Sequence, residues 1–288
     1  MGPLCYLGAP FGAFIVGPLT NWLIKMFAWP GAMLICIGLG FHKLISAQFF
    51  IDQPDAPTRQ NNFSKIAPEK NVFARIWILF KLNLAALQKN DYFPRMLLLT
   101  VTTNSFVVTL IFSQVVNIMN EYGLDRESIA QIMMVEAACD LFSRPFWGAL
   151  AKSGMKPVDL LVLDAFLWIA CALTFTFSTT YWSFLAGHVL LGIAVSGFGG
   201  FKQVLIIRLL GQENQPKFLV VDQLLCCPIT LLTPQLSIYL GSLIGDLSFL
   251  FKLSCIGSFV YLGTILSLRK DIIAKEKKKE EVQELTSS

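Results

Sequence analysis

Charge is scarce in this chain. Only 15% of the 288 residues are Asp, Glu, Lys or Arg, while 55% are hydrophobic and the mean hydropathy is +0.61. An ordinary soluble domain carries about 25% charged residues, so that class is excluded. No Lys or Arg precedes Lys25, and no small-residue cleavage site follows a short apolar core, so the start does not read as a secretory signal. Tyr6 stands where a myristoylation site wants Ser or Thr. The seven cysteines (5, 36, 139, 171, 226, 227, 255) all fall in apolar runs, none as a spaced pair in a polar loop. Neither disulfides nor a zinc site is expected, and the thiols read as buried and inert. No metal, nucleic-acid partner or enzymatic activity is expected.

Long apolar runs are what the chain has instead. Each approaches the roughly 20 residues that cross hydrocarbon. Eight spans are predicted, at 3–24, 29–50, 93–118, 128–151, 158–178, 182–207, 218–240 and 248–268, making an all-α multi-pass membrane protein. Four regions follow: two helices in 1–50, a cytoplasmic loop at 51–91, a six-helix bundle over 92–269 and a charged tail at 270–288. Within the loop, Val72 to Leu87 reads as an interfacial amphipathic helix with Arg75 and Lys81 reaching headgroups. The tail reads as solvated helix or disorder. Alternating the gaps between spans puts 17 of the 23 Lys and Arg residues on one side and 3 on the other. By the positive-inside rule both termini face the cytoplasm.

Three charges interrupt the fourth span. Asp140 and Arg144 stand one helical turn apart, with Glu136 a turn earlier on the same stripe. An ionisable group at mid-membrane costs about 2.5–3.5 kcal/mol on insertion scales, so such groups pair, line an aqueous cavity and mark an ion or substrate path. A second intramembrane cation, Lys202, is open to two readings: an added anion contact, or a snorkelling side chain at the cytoplasmic edge. Glu136 is open to pairing with Lys202 or to sharing the charge of Arg144. Gly192, Gly197, Gly199 and Gly200 read first as close helix packing and second as a flexible gate. Pro10, Pro18, Pro145, Pro228 and Pro234 read as kinks. His42 reads as a helix-end or cavity-facing side chain, and Asn104 and Asn117 read as bridges to neighbours or pathway groups.

These residues resemble a known family. Asp140-Leu-Phe-Ser-Arg144-Pro145 is similar to the eighth helix of the monocarboxylate transporters, and Gly148-Ala-Leu-Ala-Lys-Ser-Gly-Met-Lys156 resembles the loop motif of the major facilitator superfamily, without its acidic residue. Gly8-Ala-Pro-Phe-Gly12 through Trp29-Pro-Gly-Ala32 resembles helices five and six, Ser178-Thr-Thr-Tyr181 the approach to helix ten, and Cys226 to Pro234 helix eleven. The resemblance covers the whole chain and implies helices five to twelve of a partial major facilitator fold, the first four being absent. It implies proton-coupled symport of a small organic anion of the lactate and pyruvate class. Arg144 would pair the carboxylate, whose shape a guanidinium matches with two parallel donors. Asp140 would hold Arg144 when empty and take the proton when the anion arrives. Lys202 joins them as a substrate-binding candidate and Glu136 as a proton-coupling one, with no cofactor beyond the proton. The plasma membrane and a single-span accessory membrane glycoprotein are further implied. Two departures stand out: Val195 where relatives carry an aromatic, and Lys202 where they are apolar.

Two other readings compete. The chain could be a transport-incompetent fragment or splice form acting as a partner of a full-length transporter. More remotely, Ala194-Val-Ser196-Gly197 is one residue from the Gly-x-Ser-Gly turn of intramembrane serine proteases, but both histidines, His42 and His188, precede the serine and none follows to activate it.

Overall fold

The computed structural model describes residues 12, 15, 19–20, 22–36, 38 and 72–287, and within them all side chains except those of 72–73, 75, 104–106 and 275–287. The expectations for His42, Pro10, Pro18, Cys5, the side chains of Arg75 and Asn104, and the loop before residue 72 lie outside that description. The described residues contain helices and no strand. They form α1 (Trp22–Cys36), α2 (Val72–Leu87), α3 (Phe93–Thr100), a π-helical segment π1 (Val101–Val108), α4 (Thr109–Glu121), α5 (Arg126–Lys152), α6 (Pro157–Thr176), α7 (Tyr181–Leu210), α8 (Gln215–Ile244) and α9 (Phe249–Ser287).

Among the described residues, four helices are long and apolar enough to cross a bilayer: α6, α7, α8 and residues Phe249–Ala274 of α9. The protein is a multi-pass membrane protein. Of the other expected spans, 93–118 is interrupted and 128–151 is more charged, while 3–24 and 29–50 lie largely outside the described residues. The expected gap at residues 25–28 is bridged by α1, because one lysine among Leu, Ile, Met and Phe does not end a helix. The expected span 93–118 is one rod broken by π1. Its threonines explain the break: Thr100 Oγ1 bonds the Leu97 carbonyl (3.1 Å) and Thr103 Oγ1 the Leu99 carbonyl (2.9 Å), contacts that bend helices. Helix α5 has length but carries Glu136, Asp140 and Arg144 in its centre.

Local chemistry places the ends. Asp125 caps α5, accepting from the amides of Glu127 (3.2 Å) and Ser128 (3.4 Å). Thr180 and Ser183 form a capping box at the start of α7. Pro157 and Pro216 open α6 and α8, and Gly245 (φ 72°) closes α8 in the left-handed conformation a side chain would resist. From α4 onward every connection is four residues long, so successive helices double back.

Neighbours in space run α5, α7, α6, α9, the α3–π1–α4 rod, α8 and α2. The interior is built from Trp147, Trp168, Phe175, Phe184, Phe201, Phe251 and Tyr261, each at most 1–2% exposed. Helix α2 packs on α8, and its Leu87 is fully buried with Phe80 and Leu84 against the core. Helix α9 runs unbroken into the charged tail.

Candidate functional site

Helices α5 and α7 run parallel and in step. Glu136 faces His188, Ser143 faces Ser196 and Trp147 faces Phe201, so each turn of one meets a turn of the other. Gly192 permits this closeness. A methyl group there would lie 2.5 Å from the Glu136 carbonyl oxygen and 3.0 Å from the Asp140 amide nitrogen. Gly197 gives the same room to Trp147 and Asp164, whereas Gly199 has nothing within 4 Å. Of the four glycines read as packing sites, Gly192 and Gly197 therefore pack and Gly199 does not. The Trp147 indole donates to the Ile193 carbonyl (3.0 Å), locking the two helices below the charges.

On this platform Arg144 holds Asp140 by two parallel bonds, Nε to Oδ1 and Nη2 to Oδ2, both 2.9 Å. The side chains are 5% and 13% exposed, so the pair is sheltered but the carboxylate keeps an open edge. That is the geometry in which a guanidinium grips any carboxylate. An incoming carboxylate would compete for the same two donors.

Lys202 does not join them. Its ammonium bonds Asp222 Oδ2 on α8 (2.8 Å) and lies over the Phe198 ring, 5.7 Å from its centre. Asp222 is fully buried and also accepts from Thr100 Oγ1 of α3 (2.6 Å) and from the Cys226 thiol (3.5 Å). Lys202 therefore does not snorkel; a buried carboxylate satisfies it where it stands. Glu136 likewise pairs with neither Lys202 nor Arg144. Its Oε2 lies 2.5 Å from Nδ1 of His188, which is closer on the facing turn of α7 than either cation.

Four of these groups escape a sequence reading: His188, Asp222, Asp164 and Tyr261. Asp164, on α6 and fully buried, accepts from the Tyr261 hydroxyl (2.9 Å). The signal was present for both aspartates: Asp222 is the lone carboxylate of α8, and Asp164 lies inside the apolar run of α6, beyond Asp159 in its first turn. Asn117 donates to Gln114 (2.9 Å), which donates to Ser237 (2.9 Å), a polar chain joining α4 to α8. Both amides line a cavity of about 610 Å³ with Asn120, Glu121 and Asp246. Outside the apolar spans, the Ser248 hydroxyl and amide hold the Asp246 carboxyl below the usual range. Ser196 is bonded to Ser143 (2.7 Å) and to the Ile193 carbonyl (2.7 Å), while His188 is held by Glu136, so no serine–histidine couple forms.

The chain is similar to monocarboxylate transporters. It is 22% identical to monocarboxylate transporter 2 of Mesocricetus auratus over 99% of this chain and 61% of the relative. It is 22% identical to that of Mus musculus (98% and 60%) and 24% identical to that of Homo sapiens (98% and 62%). The chain thus spans about three fifths of the length of the relatives it matches. No protein-family model matches it. These relatives are transporters, not enzymes, which removes the serine-hydrolase reading.

Proposed function

We propose that this protein carries a small monocarboxylate, of the lactate and pyruvate class, together with a proton across a membrane. The two-bond Arg144–Asp140 grip is the observation that carries the reading. An arriving carboxylate offers Arg144 the same two oxygens that Asp140 offers, so binding and release of Asp140 are one event. Once released, Asp140 loses its adjacent cation, and a carboxylate without a cation in a poorly solvated site favours its protonated form. The anion and proton then enter with no net charge left in the low-dielectric interior. In this reading the eight apolar runs are helices five to twelve of a major facilitator fold, the termini lie in the cytoplasm, and the membrane is the plasma membrane. Lys202, already neutralised by Asp222, acts as a strut, and an accessory single-span glycoprotein remains a candidate partner.

The test is uptake of radiolabelled L-lactate or pyruvate by cells expressing this chain, with the outside pH stepped from 8 to 6. Uptake that rises on acidification, is lost in Arg144→Ala and loses most of its pH dependence in Asp140→Asn is the expected result. Unaltered uptake in both variants would refute it. A second reading, action beside a full-length transporter, draws on the three-fifths coverage and on the outward apolar face of α8 at Leu231, Leu232, Leu236 and Leu243. It expects no uptake by the chain alone and altered uptake on co-expression.

A further inference from the structure

The Arg144–Asp140 pair leaves a second buried titratable couple unused. His188 is fully buried, and only its Nδ1 has a partner, Glu136 at 2.5 Å. Its Nε2 is enclosed and meets no donor or acceptor among the described residues. The Phe175 ring stands edge-on against the imidazole, 5.1 Å between centres, and Phe251 stacks on Phe175 behind it. The other titratable groups nearby are Cys139 and Asp140 on α5 and Cys171 on α6, whose thiol donates to the Gly187 carbonyl (3.6 Å). No described lysine or arginine pairs with Glu136. The Glu136 side chain keeps 11% exposure, so it is the couple's contact with the outside.

This couple has two charge states. With one proton, on Nδ1 facing the carboxylate, it carries one negative charge. With two it is neutral, whether the second proton sits on Glu136 or makes His188 an imidazolium. Nε2 is enclosed without an acceptor among the described residues, so a proton there would be an unsatisfied donor, and Glu136, which keeps some exposure, is the group that takes the second proton. We propose that Glu136 and His188 together form a second proton-binding site, one turn along α5 from Asp140, and that loading it raises the affinity of the Arg144 site for an anion. The proton comes from water through Glu136, no bond other than to hydrogen forms or breaks, and unloading returns it the same way.

The size of the link follows from distance. Glu136 and Arg144 are eight residues apart, about 12 Å of helix rise. At an effective dielectric constant near 20, one unit charge at that range changes the affinity about tenfold for an anion that binds without Asp140 taking a proton, as in Asp140→Asn. By reciprocity, a bound anion raises the couple's proton affinity by the same factor. Two sites in series also give a pH dependence that outlasts the loss of Asp140. The link to anion affinity rests on the carboxylate-transport reading; the proton site does not.

This chain has two histidines, His42 and His188, so labelling it with ¹⁵N-histidine gives two pairs of ring signals that His42→Gln assigns. The His188 ring signals are expected to change with pH as the couple takes up its second proton. Glu136→Gln is expected to alter that response, since one of the two proton-binding groups is gone. In Asp140→Asn, saturating L-lactate is expected to shift the response, because the anion then arrives without a proton of its own. A His188 signal that does not change with pH, or whose response is indifferent to Glu136→Gln, would overturn the site. Lactate that binds the same sample without shifting the response would overturn the link. Absence of lactate binding with a Glu136-dependent titration supports the proton site and counts against the transport reading. None of these measurements needs a His188 variant to fold.

Discussion

Two buried cations among the described residues, Arg144 and Lys202, are held in opposite ways. Arg144 takes both oxygens of a carboxylate on its own helix, and that carboxylate is 13% exposed. Lys202 reaches from α7 to a carboxylate on α8 that is fully enclosed and shared with Thr100 of α3. Opening the first pair moves two side chains and leaves every helix contact in place. Opening the second removes the charge link between α7 and α8, two helices that otherwise touch little. A switch must be cheap to open and a strut expensive, so the intrahelical pair suits exchange and the interhelical pair suits assembly.

The largest effect should come from breaking the strut. Asp222→Ala leaves Lys202 buried without a counter-charge, and losing one partner of a buried pair costs about 3–5 kcal/mol. Thermal unfolding of the detergent-purified protein should register that loss, with Asp140→Asn costing less. The double change Lys202→Met with Asp222→Leu should recover most of it, since a well-packed apolar pair replaces a buried ion pair at little cost. Equal losses for Asp222→Ala and Asp140→Asn would erase the distinction drawn above.

Next in size is a change at the switch. Arg144→Lys keeps the charge but replaces a planar fork by a point donor. Losing one charged hydrogen bond, worth about 1.5–3 kcal/mol, lowers carboxylate affinity about ten- to a hundredfold. Binding of L-lactate should weaken by that factor while the unfolding temperature moves little. A lysine variant that binds as the parent does would mean the grip is a tie within α5 and nothing more.

How much of this was readable beforehand differs between the two pairs for a physical reason. Asp140 and Arg144 are four residues apart, and helical periodicity alone puts them together. The partner of Lys202 lies on another helix, and periodicity says nothing about which turn of α8 faces which turn of α7. The same gap hid His188: Glu136 was visible as an intramembrane acid, but its partner depends on α5 and α7 running parallel in step. The helices from residue 93 onward were legible because their apolar runs end at caps, prolines and glycines that can be read directly. The π-helical interruption was not, because it arises from threonine hydroxyls competing for backbone carbonyls inside an uninterrupted apolar run.

The platform beneath both pairs is tested by its glycines. Gly192→Ala puts a methyl group against the α5 backbone, 2.5 Å from the Glu136 carbonyl, and overpacking of that kind costs about 1–3 kcal/mol. Gly199→Ala, on the same helix with open space around it, should be neutral or add up to about 1 kcal/mol through helix propensity. Unfolding temperatures that fall for the first and hold for the second would establish that α7 is pressed against α5 at Gly192. The His188 ring signal should shift in the first alone.

The smallest expected effect lies at the mouth of α5, away from either pair. The Ser128 hydroxyl is the largest influence holding the Asp125 carboxyl below the usual carboxylate range, and the Ser128 and Glu127 amides add to it. A folded-state value below the unfolded one means the cap contributes above the unfolded value and loses its contribution as pH falls through the folded one. Acidification across the range where lactate uptake is assayed therefore leaves the cap intact. Asp125→Ala should speed hydrogen exchange at the Glu127 and Ser128 amides, while Asp125→Asn, which still presents an oxygen, should restore most of the protection. The Asp140–Arg144 grip lies more than four turns further along α5, so lactate binding should be the same in both variants; a loss in Asp125→Ala would mean that the charged centre of α5 depends on how the helix is started.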